Sequence, residues 1–475
     1  QLEKIVIDLW EDLQQAHKFG SLIRLEEKFS IKLHGLVKEE GITLFTEQNL
    51  VKYDEFRTNF FTNLQKAVVQ NTAKQGQTFL NTKTQDAITF LQLLTQKYDV
   101  AVANPPYTDR ADFGPELKKF VEANYKKPYR FNGNLYVTFI KRCFELTTEN
   151  GYIAMIHPFS FMFIKSFEDV RKLILSKTYI EILVDFGLDR VNLFDGGYAS
   201  APTFYILSKE RKNLKSVFFK LIDGFQEKDK KSVFEEAFGN YMNGRSNSII
   251  YQLKQSEFEK IKSQPFIYWI SDDFRNKFEG ATIEDAGNKA ITGIQTGNNE
   301  AALRYFWEVS FNQHENKNWI LYSKGGNFNK WFGNLQLMVN WTDNGNYLKS
   351  RYNFKSIPQE KIFKEGITYS ALGGGISFRY LPKGTLFDIG GSSIIPNKYD
   401  SYILGLTNSK LFSYILKCLN PTVNTQVGDI NRLPFAKPSE IHQLLISRLA
   451  TYNVSIKKSL CDSIVTEPSF KQSPL

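Results

Sequence analysis

Four short apolar runs between residues 99 and 208 constrain the fold of this chain more than any other feature. The runs are DVAVA (99–103), YIAMI (152–156), EILVDF (181–186) and TFYILS (203–208), and amphipathic segments of helical spacing separate them. Continuous apolar runs are typical of strands in a parallel sheet, because crossover helices cover both faces of such a sheet. The sequence therefore predicts an α/β fold in which each run is a buried strand.

The patterns on either side of this region differ from it. Residues 1–75 place apolar side chains at helical spacing among Gln, Lys and Glu, which predicts a helical segment. Towards the carboxyl end, Gly and Asn clusters recur between short aromatic strands, with helical stretches near 400–417 and from about 439. We therefore predict a helical segment over 1–75, an α/β core over 76–262 and an α+β domain over 263–475.

The composition narrows the classes of partner. Sixty Lys and Arg against 50 Asp and Glu give a net charge of +10, which attracts a polyanion such as DNA. No stretch has the roughly 18 apolar residues that span a bilayer, and the amino terminus lacks signal-peptide order, so we expect a cytoplasmic protein with no membrane partner. The three Cys and five His form no metal-type pairs, so no metal site is predicted.

The first apolar run ends in the most specific motif of the sequence, Asn104, Pro105, Pro106 and Tyr107, called the NPPY motif below. In open α/β sheets ligands bind beyond the carboxyl ends of the strands, where this motif is expected to lie. It resembles the signature of methyltransferases that act on the adenine N6 amine, which is Asp or Asn, then Pro-Pro, then an aromatic residue. The alternative is that Asn-Pro-Pro only ends a strand, since both dipeptides are ordinary turn signals.

The chemistry of such a reaction needs these residue types. The exocyclic amine of adenine is a poor nucleophile because its lone pair is delocalised into the ring. Two acceptors on its N–H groups, the side-chain oxygen of Asn104 and the carbonyl of Pro105, would draw the nitrogen towards tetrahedral geometry. Consecutive prolines lack N–H donors, so the backbone there offers only acceptors. Tyr107 can stack on a base that has been flipped out of the duplex.

Two further segments resemble those that follow the motif in this family. They are NLYVTFIKRCFELTTENGYIAMIHPFSF (134–161) and DFGLDRVNLFDGGYASAPTFYIL (185–207). The resemblance implies that Asn134 and Tyr136 contact the cofactor, S-adenosyl-L-methionine, and that Phe194 covers the other face of the flipped base, although Phe194 could equally be a core residue. The family's glycine-rich cofactor loop is not found in the 103 residues before the motif. Either the chain is a fragment or another polypeptide completes the site.

The resemblance extends over nearly the whole chain. Segments such as ITGIQTGNNEAALRYFWEV (291–309), KGGNFNKWFGN (324–334) and IVTEPSFKQSPL (464–475) resemble, in order, the central part of the PglX-type adenine-specific methyltransferases of BREX phage-defence systems. This implies an incomplete Rossmann-like class I methyltransferase core followed by a target recognition domain over 263–475. It also implies double-stranded DNA as a partner, with other defence-system proteins or an amino-terminal part of the enzyme as further partners.

The last region has the residue types that read DNA. Arg304, Lys324, Lys330 and Arg379 stand beside aromatic and amide side chains and could pair with phosphates and reach base edges. The alternative is that these cations are a solvated surface and the aromatic residues are core. In the segment 401–435, Tyr402, Leu406 and Leu411 are predicted as core residues rather than DNA contacts.

Three functions fit these patterns. The first is a site-specific N6-adenine methyltransferase that marks host DNA in phage defence or restriction-modification. The second is a DNA-recognition fragment or subunit that cannot bind cofactor by itself. The third, an RNA or protein amino-methyltransferase, keeps the NPPY chemistry but does not explain a second domain that resembles DNA readers.

Overall fold

A computed structural model describes residues 16–24, 92–187, 190–194, 197–210, 212–221, 230–371, 375–422 and 424–471, with short stretches between 58 and 90. The chain divides into two compact units. The first contains residues 1–157, 173–184 and 203–213, and the second contains 158–172, 185–202 and 214–475. These units cut across the boundaries predicted at 76 and 263, which stay a prediction. The helical segment predicted over 1–75 lies largely outside the described residues.

The elements are numbered here in chain order. The strands are β1 (Tyr98–Ala103), β2 (Thr147–Pro158), β3 (Tyr179–Asp185), β4 (Arg190–Phe194), β5 (Gly197–Ser200), β6 (Pro202–Ser208), β7 (Lys215–Lys220), β8 (Ile250–Lys254), β9 (Asn288–Ile291), β10 (Leu303–Tyr305), β11 (Trp319–Ser323), β12 (Leu337–Asn340), β13 (Gly366–Tyr369), β14 (Phe378–Leu381), β15 (Leu386–Phe387) and β16 (Ser393–Pro396). The α-helices are α1 (Ala16–Phe19), α2 (Pro115–Tyr125), α3 (Leu135–Leu146), α4 (Glu168–Lys177), α5 (Lys230–Met242), α6 (Asp272–Asn276), α7 (Asn299–Ala302), α8 (Phe311–Glu315), α9 (Asn346–Arg351), α10 (Ser401–Thr407), α11 (Lys410–Leu419), α12 (Val427–Asn431) and α13 (Glu440–Cys461). None of the helices formed by the described residues has both the length and the apolar character that a membrane crossing needs.

The first unit is built on the strands that the four apolar runs predict. Strands β1, β2, β6 and β3 are hydrogen-bonded neighbours in that order. β1 and β2 are parallel, with Val100 opposite Tyr152 and Ala103 opposite Met155. Helices α2 and α3 lie in the connection between these two strands, as expected for a parallel pair. The prediction of an α/β fold is confirmed.

Strand β1 differs from the prediction in its burial. The run was predicted to be buried, but the side chains of Val100 and Val102 are 56% and 76% exposed. β1 stands at the end of the strand order, so it has only one neighbouring strand among the described residues. An apolar run indicates that a strand is suited to burial, and it does not say which segment covers the strand.

The second unit has the mixed α and β character predicted for residues 263–475. It contains two four-stranded sheets, in the orders β10-β12-β11-β15 and β14-β13-β16-β9, and the antiparallel pairs β4–β5 and β7–β8. The helical stretches predicted near 400–417 and from about 439 are present as α10, α11 and α13. The α+β prediction for this region is confirmed.

The second sheet contributes to hydrophobic clusters on both of its sides. Its Ile367, Phe378 and Ile394 pack with residues of α10 and α11. Leu381 and Ile395 instead join the cluster of the first sheet, which contains Val339 and Leu386.

The core prediction for the segment 401–435 is confirmed for Tyr402, which is buried, and Leu406 packs against the cluster that contains Ile367, whereas the prediction for Leu411 was wrong. Leu411 is 61% exposed because α11 turns its buried face, formed by Phe412, Leu416 and Leu419, to the core instead.

Strand β3 ends in a fully buried carboxylate, Asp185. The hydroxyl of Tyr268 donates a hydrogen bond to it at 3.0 Å, and so does the backbone N–H of Gly187, also at 3.0 Å. The Lys230 ammonium, which donates to the Phe186 carbonyl at 2.8 Å, is buried in the same unit. Burial nevertheless raises the pKa of Asp185 to about 6, because it disfavours the charged form more than these donors stabilise it.

We expect Asp185→Asn to flatten the pH dependence of stability. The folded-state pKa of Asp185 lies above its ordinary unfolded value. Its contribution to the free energy of unfolding is therefore fully present below the unfolded pKa and is lost as pH rises through about 6. The loss amounts to about 3 kcal/mol. Thermal unfolding at mildly acidic and mildly alkaline pH should show a smaller difference for Asp185→Asn than for the wild type. Asp273→Asn, at an exposed position, is the matched control, and an equal pH response in all three proteins would contradict the prediction.

Candidate functional site

The NPPY motif directly follows β1. Asn104, Pro106 and Tyr107 are exposed, while Pro105 is buried and anchors the turn. The hydroxyl of Tyr107 donates a hydrogen bond to Oδ1 of Asn104 at 2.9 Å. Partial burial raises the pKa of Tyr107, which keeps the phenol protonated as a donor. No described residue donates a hydrogen bond to the Pro105 carbonyl, so this predicted acceptor is not used by the described residues. Both predicted acceptors follow the end of β1.

The chain after the motif is held against the start of α3. The N–H of Leu135 donates to the carbonyl of Thr108 at 2.9 Å, and Asp109 and Asn134 pair as an isolated antiparallel bridge. The side chain of Asn134 joins both segments, because its Nδ2 donates to the carboxylate of Asp109 at 2.6 Å and its Oδ1 accepts from the N–H of Tyr136 at 3.1 Å. Asn134 is therefore the N-cap of α3 and also fixes the position of the loop that carries the motif.

Tyr136, the second residue predicted to contact the cofactor, lies in a buried aromatic cluster. Its ring stacks on that of His157 with centroids 4.6 Å apart, and Nε2 of His157 is 2.8 Å from the hydroxyl of Tyr205. Sequence reasoning missed His157 and Tyr205, although a histidine that ends an apolar strand run is a usable signal. The cofactor-binding roles of Asn134 and Tyr136 stay a prediction.

We expect Asn134→Ala to destabilise the protein by about 1–2 kcal/mol, because an N-cap and a buried amide contact are lost together. Denaturant unfolding would measure the change. Asn124→Ala is the matched control, since among the described residues the side-chain amide of Asn124 donates to the Phe120 carbonyl within its own helix, at 2.9 Å, and joins no second segment. Equal stability of Asn134→Ala and the wild type would show that the cap does not hold the loop.

The remaining predicted residues lie in the second unit. Phe194 ends β4, where its backbone pairs with that of Gly197 in β5, and its side chain lies outside the described residues. Arg304 is exposed on β10, with its guanidinium 5.9 Å from the centroid of the Trp319 ring. Lys324 follows β11 and is partly exposed, and it forms no ion pair with a described residue. One terminal nitrogen of Arg304 donates to the carbonyls of Glu300 and Leu303, both at 2.6 Å, while the residue as a whole stays exposed.

Lys330 and Arg379 are engaged within the protein. The ammonium of Lys330 donates to the Asn408 carbonyl at 2.8 Å. Arg379 is fully buried and donates to the carbonyls of Asn329 and Gly325 at 3.3 and 3.4 Å. Burial lowers the pKa of Arg379 to about 10, which still leaves it charged at neutral pH. These two side chains organise the loop of residues 324–336, and their contact with DNA stays a prediction.

Comparison with known proteins identifies the class to which this fold and motif correspond. Residues 7–194 match the family described as Eco57I restriction-modification methylase. The matched segment contains β1, the NPPY motif and α3, so this part of the chain is similar to restriction-modification methylases.

Two relatives define the resemblance further. The chain is 30% identical over 396 residues to the adenine-specific methyltransferase BrxX of Escherichia coli O9:H4 (strain HS). The matched segment covers 81% of this chain and 31% of the relative. The chain is also 30% identical over 368 residues to the adenine-specific methyltransferase PglX of Lacticaseibacillus casei (strain Zhang). This match covers 72% of this chain and 30% of the relative. The chain thus spans about a third of the length of these relatives. The predicted resemblance to the PglX-type methyltransferases is confirmed.

A solved structure supports the fold. The Type IIL restriction-modification enzyme MmeI, determined in complex with DNA, superposes with a TM-score of 0.50 at 12% sequence identity. The match covers 76% of this chain and 49% of MmeI, so it extends beyond the methylase family segment. At this identity the likeness shows the fold alone.

Proposed function

We propose that this chain is the base-binding and DNA-reading part of a site-specific DNA adenine-N6 methyltransferase of a BREX-like phage-defence or restriction-modification system. The substrates would be a flipped adenine in double-stranded DNA and S-adenosyl-L-methionine. The observation that carries the proposal is the NPPY motif at the carboxyl end of β1, with Asn104 exposed and bonded to Tyr107 at 2.9 Å. The names of the relatives support adenine as the target base.

In this proposal the side chain of Asn104 orients the target amine. Its Oδ1 has a second lone pair besides the one that accepts from the Tyr107 hydroxyl. It can therefore accept a hydrogen bond from one N–H of the amine, while the Pro105 carbonyl accepts a hydrogen bond from the other. Two acceptors hold the nitrogen with its lone pair directed away from the ring plane, which positions it for attack. The Tyr107 hydroxyl donates to the Asn104 amide, but it is the exposed Tyr107 ring that this proposal uses, because the ring is available to stack on the base.

S-adenosyl-L-methionine would supply the electrophilic methyl group when bound. The described residues that were predicted to contact it do not provide a complete site, since both polar atoms of the Asn134 amide are bonded within the protein. We therefore place only the base-amine side of the reaction on this chain. The exposed side chains of Val100 and Val102 on the outermost strand support a further polypeptide segment against β1, which would complete the methyl-donor site.

The second candidate function is that of a DNA-recognition part that does not bind cofactor by itself. The exposed side chains of β1 favour this function for the isolated chain. We expect the chain alone to show little affinity for S-adenosyl-L-methionine. Calorimetric titration measures this directly, with the same titration of a full-length relative as the positive control. Micromolar binding by the chain alone would contradict the expectation and would mean that its own residues form a complete donor site.

Double-stranded DNA is the proposed partner of the second unit. Arg304 offers an exposed cation there and Lys324 a partly exposed one, and the net charge of +10 favours a polyanion. Cations of this kind contact phosphates and set the position of the protein on the duplex, whereas sequence is read by contacts to base edges. We leave Arg379 out of the proposed DNA surface because it is fully buried.

A further inference from the structure

The connection between β11 and β12, residues 324–336, is called the β11–β12 loop here. The two strands are antiparallel with Tyr322 opposite Leu337, so the loop leaves and re-enters the sheet at the same end. Tyr305 of β10 is also paired with Leu337, which places it at that end. Its exposed ring stacks on that of Trp307 with centroids 4.6 Å apart. One end of this sheet therefore combines exposed aromatic rings with a long loop.

A buried cation holds the backbone of this loop. Arg379, from β14, donates to the carbonyls of Gly325 at 3.4 Å and Asn329 at 3.3 Å, and to the hydroxyl of Ser370 at 3.2 Å. The Ser370 hydroxyl in turn donates to the carbonyl of Gly326 at 2.8 Å. Burying a guanidinium is unfavourable unless its donors are used. Both terminal nitrogens of Arg379 donate in this way, whereas its buried Nε has no hydrogen-bond partner among the described residues. The bonds from the terminal nitrogens hold the loop.

Further hydrogen bonds within the loop complete this support. The side-chain amide of Asn334 donates to the carbonyls of Gly325 and Asn327, both at 3.0 Å. The N–H of Trp331 donates to the Phe378 carbonyl at 2.9 Å, which ties the far side of the loop to β14. Bonds on both sides of position 328 therefore restrain its backbone.

Phe328 projects from this restrained segment. Its side chain is 64% exposed, although its ring lies against Gly375, where a Cβ atom would be 3.5 Å from the ring. A single exposed apolar side chain is ordinary on a protein surface. Here, however, an extensive hydrogen-bond network and a buried arginine hold the backbone that carries it. The arrangement suits a side chain that must not swing aside when it is pushed into a partner.

The charges around Phe328 indicate the chemistry of that partner. The β11–β12 loop contains Lys324 and Lys330 and no Asp or Glu, and exposed Arg304 lies next to Tyr305 at the same end of the sheet. A basic loop with an apolar tip fits a nucleic-acid duplex, because the cations contact phosphates while the ring meets the stacked bases.

We propose that Phe328 is a wedge that inserts between two adjacent base pairs of bound double-stranded DNA and kinks the duplex. The inference rests on the proposed DNA-binding function of the second unit and adds the means by which the protein deforms its site. Apolar wedges of this kind partly unstack one base step, and the resulting bend brings more DNA surface into contact with the protein. A deformation of the duplex also contributes to sequence selection at positions that the protein does not touch.

The test uses the full chain and a random-sequence duplex of about 30 base pairs, labelled with a donor dye at one end and an acceptor dye at the other. Fluorescence anisotropy gives the affinity, and energy transfer between the dyes reports the bend. We expect the wild type to increase energy transfer, and Phe328→Ala to bind about tenfold more weakly without that increase. Phe328→Leu should keep both properties, because leucine also serves as a wedge. Tyr452→Ala removes an exposed ring from α13 and should behave as the wild type.

Three results would overturn the proposal. Phe328→Ala could match the wild type in affinity and bending, or it could bind more weakly with the bend unchanged, which would make Phe328 a groove contact. The wild type could also bind the duplex without any increase in energy transfer. Failure of the wild type to bind duplex at low ionic strength would instead remove the proposed DNA-binding function itself, and the wedge with it.

Discussion

Replacing Asn104 by Ala is expected to lower the rate of methyl transfer to DNA by about 10²–10³, because one of the two acceptors that hold the target amine is lost. The assay needs a complete donor site, as in a chimaera with the amino-terminal part of a relative, and it follows labelled methyl transfer to DNA. DNA affinity should barely change, since phosphate contacts elsewhere supply most of the binding energy.

Substitutions of Tyr107 provide the matched controls. Tyr107→Ala removes a stacking platform worth roughly 1–3 kcal/mol per base, so methylation and tight binding of a duplex with a mismatched target adenine should both decline. Tyr107→Phe removes the 2.9 Å hydrogen bond to Asn104 but keeps the ring, and it should retain most of the activity. Undiminished methylation by Asn104→Ala, together with loss of activity in Tyr107→Phe, would make the motif an ordinary strand end held by a structural hydroxyl.

Affinity for duplex DNA is expected to fall about a thousandfold or more between about 50 and 200 mM salt, the behaviour of proteins that contact about six or more phosphates. The cause is the release of counterions when cations such as Arg304 and Lys324 neutralise phosphates. Arg304→Ala and Lys324→Ala should each weaken binding to all sequences and reduce the slope of log affinity against log salt by about 1.

The control for this salt titration is Lys231→Ala on α5. The side chain of Lys231 is 86% exposed, and its Nζ lies 3.9 Å from Oε1 of Glu235. Its slope should equal that of the wild type. A flat salt dependence of the wild type, or an equal change of slope in all three variants, would show that Arg304 and Lys324 do not form a phosphate-binding surface.

Local sequence patterns predicted the parts of this protein that depend on local physics. The apolar runs became strands because short stretches rich in Val and Ile favour extended backbone, and the NPPY motif follows β1 because consecutive prolines cannot continue a ladder. Helix α13 begins where predicted, since Ser439 accepts a hydrogen bond from the N–H of His442 as its N-cap.

The features that the sequence did not reveal depend on contacts between distant segments. Arg379 looks like a DNA contact beside an aromatic residue, but it bonds to Gly325 and Asn329, which lie about fifty residues earlier in the chain. The exposure of Val100 and of Leu411 likewise depends on which surfaces meet them. Periodicity identifies an apolar face and does not identify what covers it.

The NPPY motif is expected to present the N6 amine of adenine for methylation. Nucleoside mass spectrometry of DNA treated with the completed enzyme and S-adenosyl-L-methionine identifies the methylated base. N6-methyladenine is the expected product, and it should nearly disappear with Asn104→Ala. Methylcytosine as the only product, or N6-methyladenine at the same level with Asn104→Ala, would contradict this expectation.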